Sequence, residues 1–172
     1  EELNQRVLAI HRRVYGPRHP NVAEDLINLG AIQFELGHNT EAEALYRQAL
    51  EINQAWYGKD HHASASNLTM LARALVREGR YDEAADLLQQ ALAIQERVYG
   101  PDHPRVASAL NELGSVALKR GHLDEAEERF RRMVEIYRKV NGDGHYLVAI
   151  GLSNLGSVYL ERKDNARAEE EY

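Results

Sequence analysis

Tyr-Gly-Pro-Arg-His-Pro at residues 15–20 returns as Tyr-Gly-Pro-Asp-His-Pro at residues 99–104. Single residues keep the same beat along the chain. Gly16, Gly58, Gly100 and Gly142 are spaced by 42 residues, and so are His19, His61, His103 and His145. Leu26, Leu68, Leu110 and Leu152 follow it, as do Leu29, Leu71, Leu113 and Leu155, and then Ala42, Ala84, Ala126 and Ala168. A self-similar period of this size points to an all-α solenoid of antiparallel helix pairs, in which each unit buries its apolar face against its neighbours.

Each unit reads as two helices. Over residues 20–36, helical geometry puts Val22, Leu26, Leu29, Gly30 and Gln33 on one face. Leu75, Ala117 and Tyr159 take the Gln33 position in later units. Pro20 and Pro104 suit a first helical turn, where a missing N–H costs little. Gly37, Gly79 and Gly121 suit the left-handed residue that ends a helix. Thr40, Asp82 and Asp124 then read as N-caps of the second helix, with Thr40 and Glu43 as a capping box. That helix carries Ala42, Tyr46, Ala49, Leu50 and Ile52 at helical spacing. Small residues such as Gly30, Ala42, Ala49, Ala72 and Gly114 let helix axes approach, and a larger residue at Ala84 should overpack by about 1–3 kcal/mol. In the fourth unit Lys163 stands in the glycine position and Ala166 in the cap position, so a looser turn is expected there.

The domain reading is one array: a half repeat at 1–14, full repeats at 15–56, 57–98 and 99–140, and a truncated repeat at 141–172. The first residues read as mid-helix, which predicts an excised fragment. Leu3, Leu8, Ile10 and Val14 align with Leu87, Leu92, Ile94 and Val98, so residues 3–14 resemble the second helix of a preceding unit. In the repeat register Glu169 maps onto Glu1 and Tyr172 onto Asn4. This predicts apolar surface at both ends and head-to-tail self-association.

Composition narrows the chemistry. The chain has 172 residues, 44% hydrophobic and 28% charged, with a net charge of −6 and no cysteine. That is a globular composition. The acidic balance argues against bulk binding of nucleic acid or an anionic membrane. Without cysteine there are no disulfides and no thiol nucleophiles, which suits a reducing compartment and predicts a cytoplasmic location. The apolar stretch from Leu147 to Leu152 is too short to span a bilayer. No phosphate-binding glycine loop or nucleophile elbow occurs, so neither enzyme activity nor a cofactor is expected. Stacked repeats would hold the four histidines about 10 Å apart, too far to share a zinc ion. Each is therefore expected to bond or pack within its own turn. His61 and His62 are expected to point apart. Trp56 takes the position of Val14, Val98 and Val140, and is expected to pack at the end of its helix.

The stretch Ala-Leu-Ala-Ile-Gln-Glu-Arg-Val-Tyr-Gly-Pro-Asp-His-Pro-Arg-Val-Ala-Ser-Ala-Leu-Asn-Glu-Leu-Gly (91–114), continued by Lys-Arg-Gly-His-Leu-Asp-Glu-Ala-Glu (119–127), resembles the tetratricopeptide repeats of kinesin light chains. The likeness covers essentially the whole chain and includes the 42-residue unit of that subclass. It implies a right-handed superhelix whose concave side is lined by the first helix of each pair and holds a protein or peptide partner. Projected onto these helices, the implied groove takes Asn28 and Glu35 from the first unit, and Thr69, Met70, Arg73 and Arg77 from the second. Asn111, Ser115 and Lys119 follow from the third, and Ser153 and Asn154 from the fourth. Glu24, Ile27, Ser66 and Ile150 share the same faces. Asparagine offers donors and acceptors, so it can grip a peptide backbone. The family pairs two asparagines in succession; here Asn28, Asn111 and Asn154 stand singly, and Thr69 and Met70 replace them in the second unit. Arg73, Arg77 and Lys119 predict a partner with an acidic centre. The alternative is a structural or regulatory arm that packs on its parent protein or on copies of itself.

Overall fold

A computed structural model describes residues 2–163. Its eight helices are α1 (Glu2–Tyr15), α2 (Pro20–Glu35), α3 (Asn39–Tyr57), α4 (His62–Arg77), α5 (Tyr81–Tyr99), α6 (Pro104–Lys119), α7 (Leu123–Asn141) and α8 (Tyr146–Glu161). The readings made for Glu1, Ala166, Ala168, Glu169 and Tyr172 lie outside the described residues. The chain divides into two compact units, residues 1–94 and 95–172, with the boundary inside α5.

In the first unit, Val22, Ala23, Leu26 and Leu29 of α2 pack with Ala49 and Ile52 of α3 and Leu8 of α1. A second cluster joins Ala65 and Leu68 of α4 to Ala91 and Ile94 of α5. Each fully buried leucine contributes about 1.5–3 kcal/mol relative to an exposed one. In the second unit Val106, Leu110, Leu113 and Ala117 of α6 and Phe130, Met133 and Val134 of α7 are buried.

Close helix approach depends on matched sizes. A Cβ added at Gly30 would lie 2.7 Å from the Tyr46 ring, and one added at Gly114 only 2.6 Å from the Phe130 ring. One repeat sits between these two. It has Ala72 and Leu88 at the corresponding positions, both buried. Glycine faces an aromatic ring, and alanine stands where the facing residue is leucine.

Gly37 has φ +82, and its turn is closed by two bonds, His38 N–H to Gln33 C=O (2.9 Å) and Gly37 N–H to Phe34 C=O (3.1 Å). This double closure is the Schellman motif. It recurs as Arg80 N–H to Leu75 C=O and as His122 N–H to Ala117 C=O, both 2.9 Å. It also corrects the expected N-caps. The carbonyls of His38, Arg80 and His122 already accept the first helical bonds, from Ala42, Ala84 and Ala126. Thr40, Asp82 and Asp124 therefore lie inside the first helical turn. The Thr40 hydroxyl donates sideways to Glu78 (3.0 Å), and Glu43 pairs with Arg47 and Arg80 instead of closing a capping box. Lys163 adopts φ 61, the left-handed conformation its neighbours meet with glycine, at a cost of about 1 kcal/mol.

The repeated histidines are the N-caps of the first helices. Nδ1 of His19, His61, His103 and His145 accepts the backbone N–H of Asn21, Ala63, Arg105 and Leu147, at 3.1–3.3 Å. His19, His61 and His103 also stack on Tyr15, Tyr57 and Tyr99, with ring centroids 4.7, 4.4 and 4.7 Å apart. Each histidine thus bonds within its own turn. No group of three metal-ligating side chains occurs among the described residues. The expectation that His61 and His62 point apart fails: their rings lie 4.1 Å apart. His62 opens α4, and the tight cap turn leaves both rings on one side of the helix start.

His103→Ala is expected to cost about 1 kcal/mol, and His103→Asn much less, because asparagine also caps. Urea denaturation of the two variants checks this. At His61, burial and then the neighbouring His62 hold the imidazole pKa below its ordinary value of 6.5. The sign follows from proton uptake. The unfolded chain binds the proton first, so this cap is at full strength above pH 6.5 and weakens as the pH falls below it.

Candidate functional site

In the first unit, the outer faces of α2 and α4 carry Asn28, Glu35, Thr69, Met70, Arg73 and Arg77. Asn28 and Glu35 are exposed, and Thr69 and Met70 are half-buried. The Thr69 hydroxyl donates to the Ala65 carbonyl of its own helix (3.1 Å), which leaves its oxygen as an acceptor. The Arg77 guanidinium lies 3.5 Å from the centroid of the Phe34 ring and donates to the Phe34 carbonyl. That carbonyl already accepts from Gly37 at the end of α2. Arg77 therefore supplies a cation at the negative end of the α2 dipole and ties α4 to α2. Arg73 stands 5.5 Å from the same ring. Helical periodicity gives the two arginines the same face; Phe34 distinguishes them by distance, 3.5 Å for Arg77 and 5.5 Å for Arg73.

In the second unit, Asn154 Nδ2 donates to Asn111 Oδ1 at 2.7 Å, joining the outer faces of α8 and α6. This contact leaves Asn111 Nδ2 as a donor and Asn154 Oδ1 as an acceptor in adjacent amides. The Ser115 hydroxyl donates to the Asn111 carbonyl (2.8 Å), and the Ser157 hydroxyl to that of Ser153 (3.1 Å). Ser153 and Lys119 are exposed. The predicted residues thus form two groups, one on each unit.

Other positions depart from expectation. Trp56 does not pack into its helix end. It is 57% exposed and meets His19 edge-on at 5.1 Å. Val14, Val98 and Val140 are exposed as well, because this register of the second helix points away from its partner helix. Trp56, Tyr15 and His19 border a cavity of about 420 Å³. On α1, Leu3, Val7 and Ile10 are exposed and Leu8 is buried. Among the described residues, no helix is long and apolar enough to cross a membrane.

The sequence matches the tetratricopeptide repeat family over residues 1–55, 35–97, 64–139 and 106–172. The chain belongs to that family. Its fold is similar to that of a kinesin light chain from Podosopora anserina with nearly identical TPR-like repeats, at 27% identity and TM-score 0.86, covering 99% of this chain and 80% of that one. It is also similar to BtubC (BKLC) of P. vanneervenii, at 22% identity and TM-score 0.82, with coverage of 89% and 61%. A Rap protein complexed with Competence and Sporulation Factor shares the fold at 19% identity and TM-score 0.75, with coverage of 89% and 41%. No curated protein matches the chain. The architecture is that of an all-helical tetratricopeptide repeat scaffold for protein interaction.

Proposed function

We propose that the protein is a non-catalytic, cytoplasmic scaffold that grips an extended peptide segment on the outer faces of the first helices of its repeats. The observation that carries this reading is the Asn111–Asn154 pair. Its remaining amide donor and acceptor match the C=O and N–H of a passing peptide bond. They bind the main chain without reading its sequence. Arg73 adds a cation 5.5 Å from the Phe34 ring centroid, which favours an acidic residue at that point of the partner. The Rap complex is of a fold-related protein with a named factor, which supports a ligand of this general kind.

Affinity capture from native lysate tests the reading. The wild type is compared with Arg73→Glu and with Asn154→Ala, both checked for folding by circular dichroism. The expected result is a partner held by the wild type and lost, by about tenfold or more in affinity, from either variant. Equal retention by all three would sink the groove.

A second reading, head-to-tail self-association or packing on a parent protein, is favoured by the exposed Leu3, Val7 and Ile10 of α1. It predicts mass growth with concentration in light scattering, abolished by Ile10→Lys. A constant monomer mass would exclude it in solution.

A further inference from the structure

A cavity of about 220 Å³ opens in the first unit between the start of α2, the end of α3 and the start of α4. Its polar lining is Asn21, Glu24, Asn53 and Tyr57; Pro20, Ile27 and Ala63 give it apolar walls. Asn53 is only 5% exposed, yet its side-chain amide meets no hydrogen-bond partner among the described residues. Its polar atoms are therefore left to the cavity that Asn53 lines.

His11, which corresponds to Asn53, bonds to Asp25 at 2.8 Å. Asn67 corresponds to Asp25, but its amide is turned to the Tyr46 carbonyl (3.3 Å) and leaves Asn53 facing the cavity. Glu24 is exposed and has no ion pair among the described residues. Tyr57 has one ring face stacked on His61.

We propose that this cavity receives an arginine side chain of the partner, with its guanidinium between the Glu24 carboxylate and the Asn53 amide oxygen. The assignment rests on the reading of the outer helix faces as the binding surface. Guanidinium carries only donors, and the residues lining the cavity offer acceptors: two carboxylate oxygens of Glu24, the amide oxygens of Asn53 and Asn21, and the Tyr57 hydroxyl. A carboxylate ligand would meet Glu24 as a like charge, and a neutral amide would leave that charge uncompensated. The planar cation fits Glu24 through two parallel bonds and the Tyr57 ring through its face. The arginine stem would lie along Ile27, Pro20 and Ala63.

Two-dimensional amide NMR of the whole chain, titrated with acetyl-Gly-Arg-Gly-amide and with the same peptide carrying neutral citrulline, tests the site. The expected result is saturable shifts at the Asn53 side-chain amide and at the Asn21 and Ala63 backbone amides. Affinity should fall about tenfold or more for citrulline, and likewise in Glu24→Gln, where the exposed position preserves folding. Asn53→Ala should weaken the arginine peptide alone. Equal response to both peptides, or binding unchanged in Glu24→Gln, overturns the proposal. The outcome is separable from that of the groove. A partner lost by Arg73→Glu with no response to the arginine peptide overturns the cavity and leaves the groove. An arginine response with the partner retained by Arg73→Glu supports the cavity and removes the groove.

Discussion

Gly114→Ala is expected to lower stability by about 1–3 kcal/mol, and Phe130→Leu in the same chain to return most of that loss. The added Cβ would come within 2.6 Å of Cε1, 2.8 Å of Cδ1 and 2.9 Å of Cζ of Phe130, closer than carbon atoms pack. Phe130 is 1% exposed and sits in a filled core, so its ring has nowhere to swing. Leucine removes the contacting ring atoms, and the repeat already tolerates the combination of Ala72 with Leu88. Phe130→Leu alone should be mildly destabilising, because it leaves space beside Gly114. Urea denaturation of the wild type, both single variants and the double variant measures the coupling. Additive costs would show that the ring can move and that size matching does not govern this contact.

Glu127→Gln is expected to cost about 1.5–3 kcal/mol at neutral pH, the range for hydrogen bonds to a charged group. Glu127 accepts from Arg131 Nε (2.9 Å), from the Tyr159 hydroxyl (3.1 Å) and from Arg162. Arg131 also donates to the Tyr159 oxygen at 2.7 Å, so one carboxylate organises α7, α8 and the turn after α8. Burial alone would raise the Glu127 pKa. The hydrogen bonds from Arg131 and Tyr159 and the charge of Arg162 outweigh it and hold the group below 4.5. Burial, followed by the bond to Glu127, raises the Tyr159 phenol, which keeps it a donor. The stability supplied by Glu127 is therefore complete above pH 4.5 and is lost as the pH falls through its lower folded value. Glu43, held below 4.5 against burial by Arg47 and Arg80, acts in the same direction in the first unit. Denaturation midpoints measured from pH 6 down to about pH 3 should fall for the wild type and fall less steeply in Glu127→Gln, where Glu43 still contributes. A wild-type midpoint independent of pH in that window would rule out the clamp.

The sequence alone carried the period, the helix pairs, the left-handed glycine turns and the outer-face residues of each first helix. These follow from local rules: 3.6 residues per turn, the steric freedom of glycine, and a unit repeated often enough to expose its own register. The caps of the second helices lie two residues before those expected at Thr40, Asp82 and Asp124, because the carbonyls of His38, Arg80 and His122 already accept the first helical bonds. Tertiary structure decided how side chains with similar local signals diverge. Arg73 and Arg77 share a helix face, but Phe34 from a neighbouring helix holds Arg77 at 3.5 Å and Arg73 at 5.5 Å from its ring centroid. Asn111 and Asn154 are 43 residues apart and become one amide pair. His11 pairs with Asp25, whereas Asn67, at the position of Asp25 in the next repeat, bonds to the Tyr46 carbonyl and not to Asn53. Periodicity predicts which face a residue occupies. Which group stands opposite it depends on the packing of a second helix, and that is set by the sizes of side chains far away in the sequence.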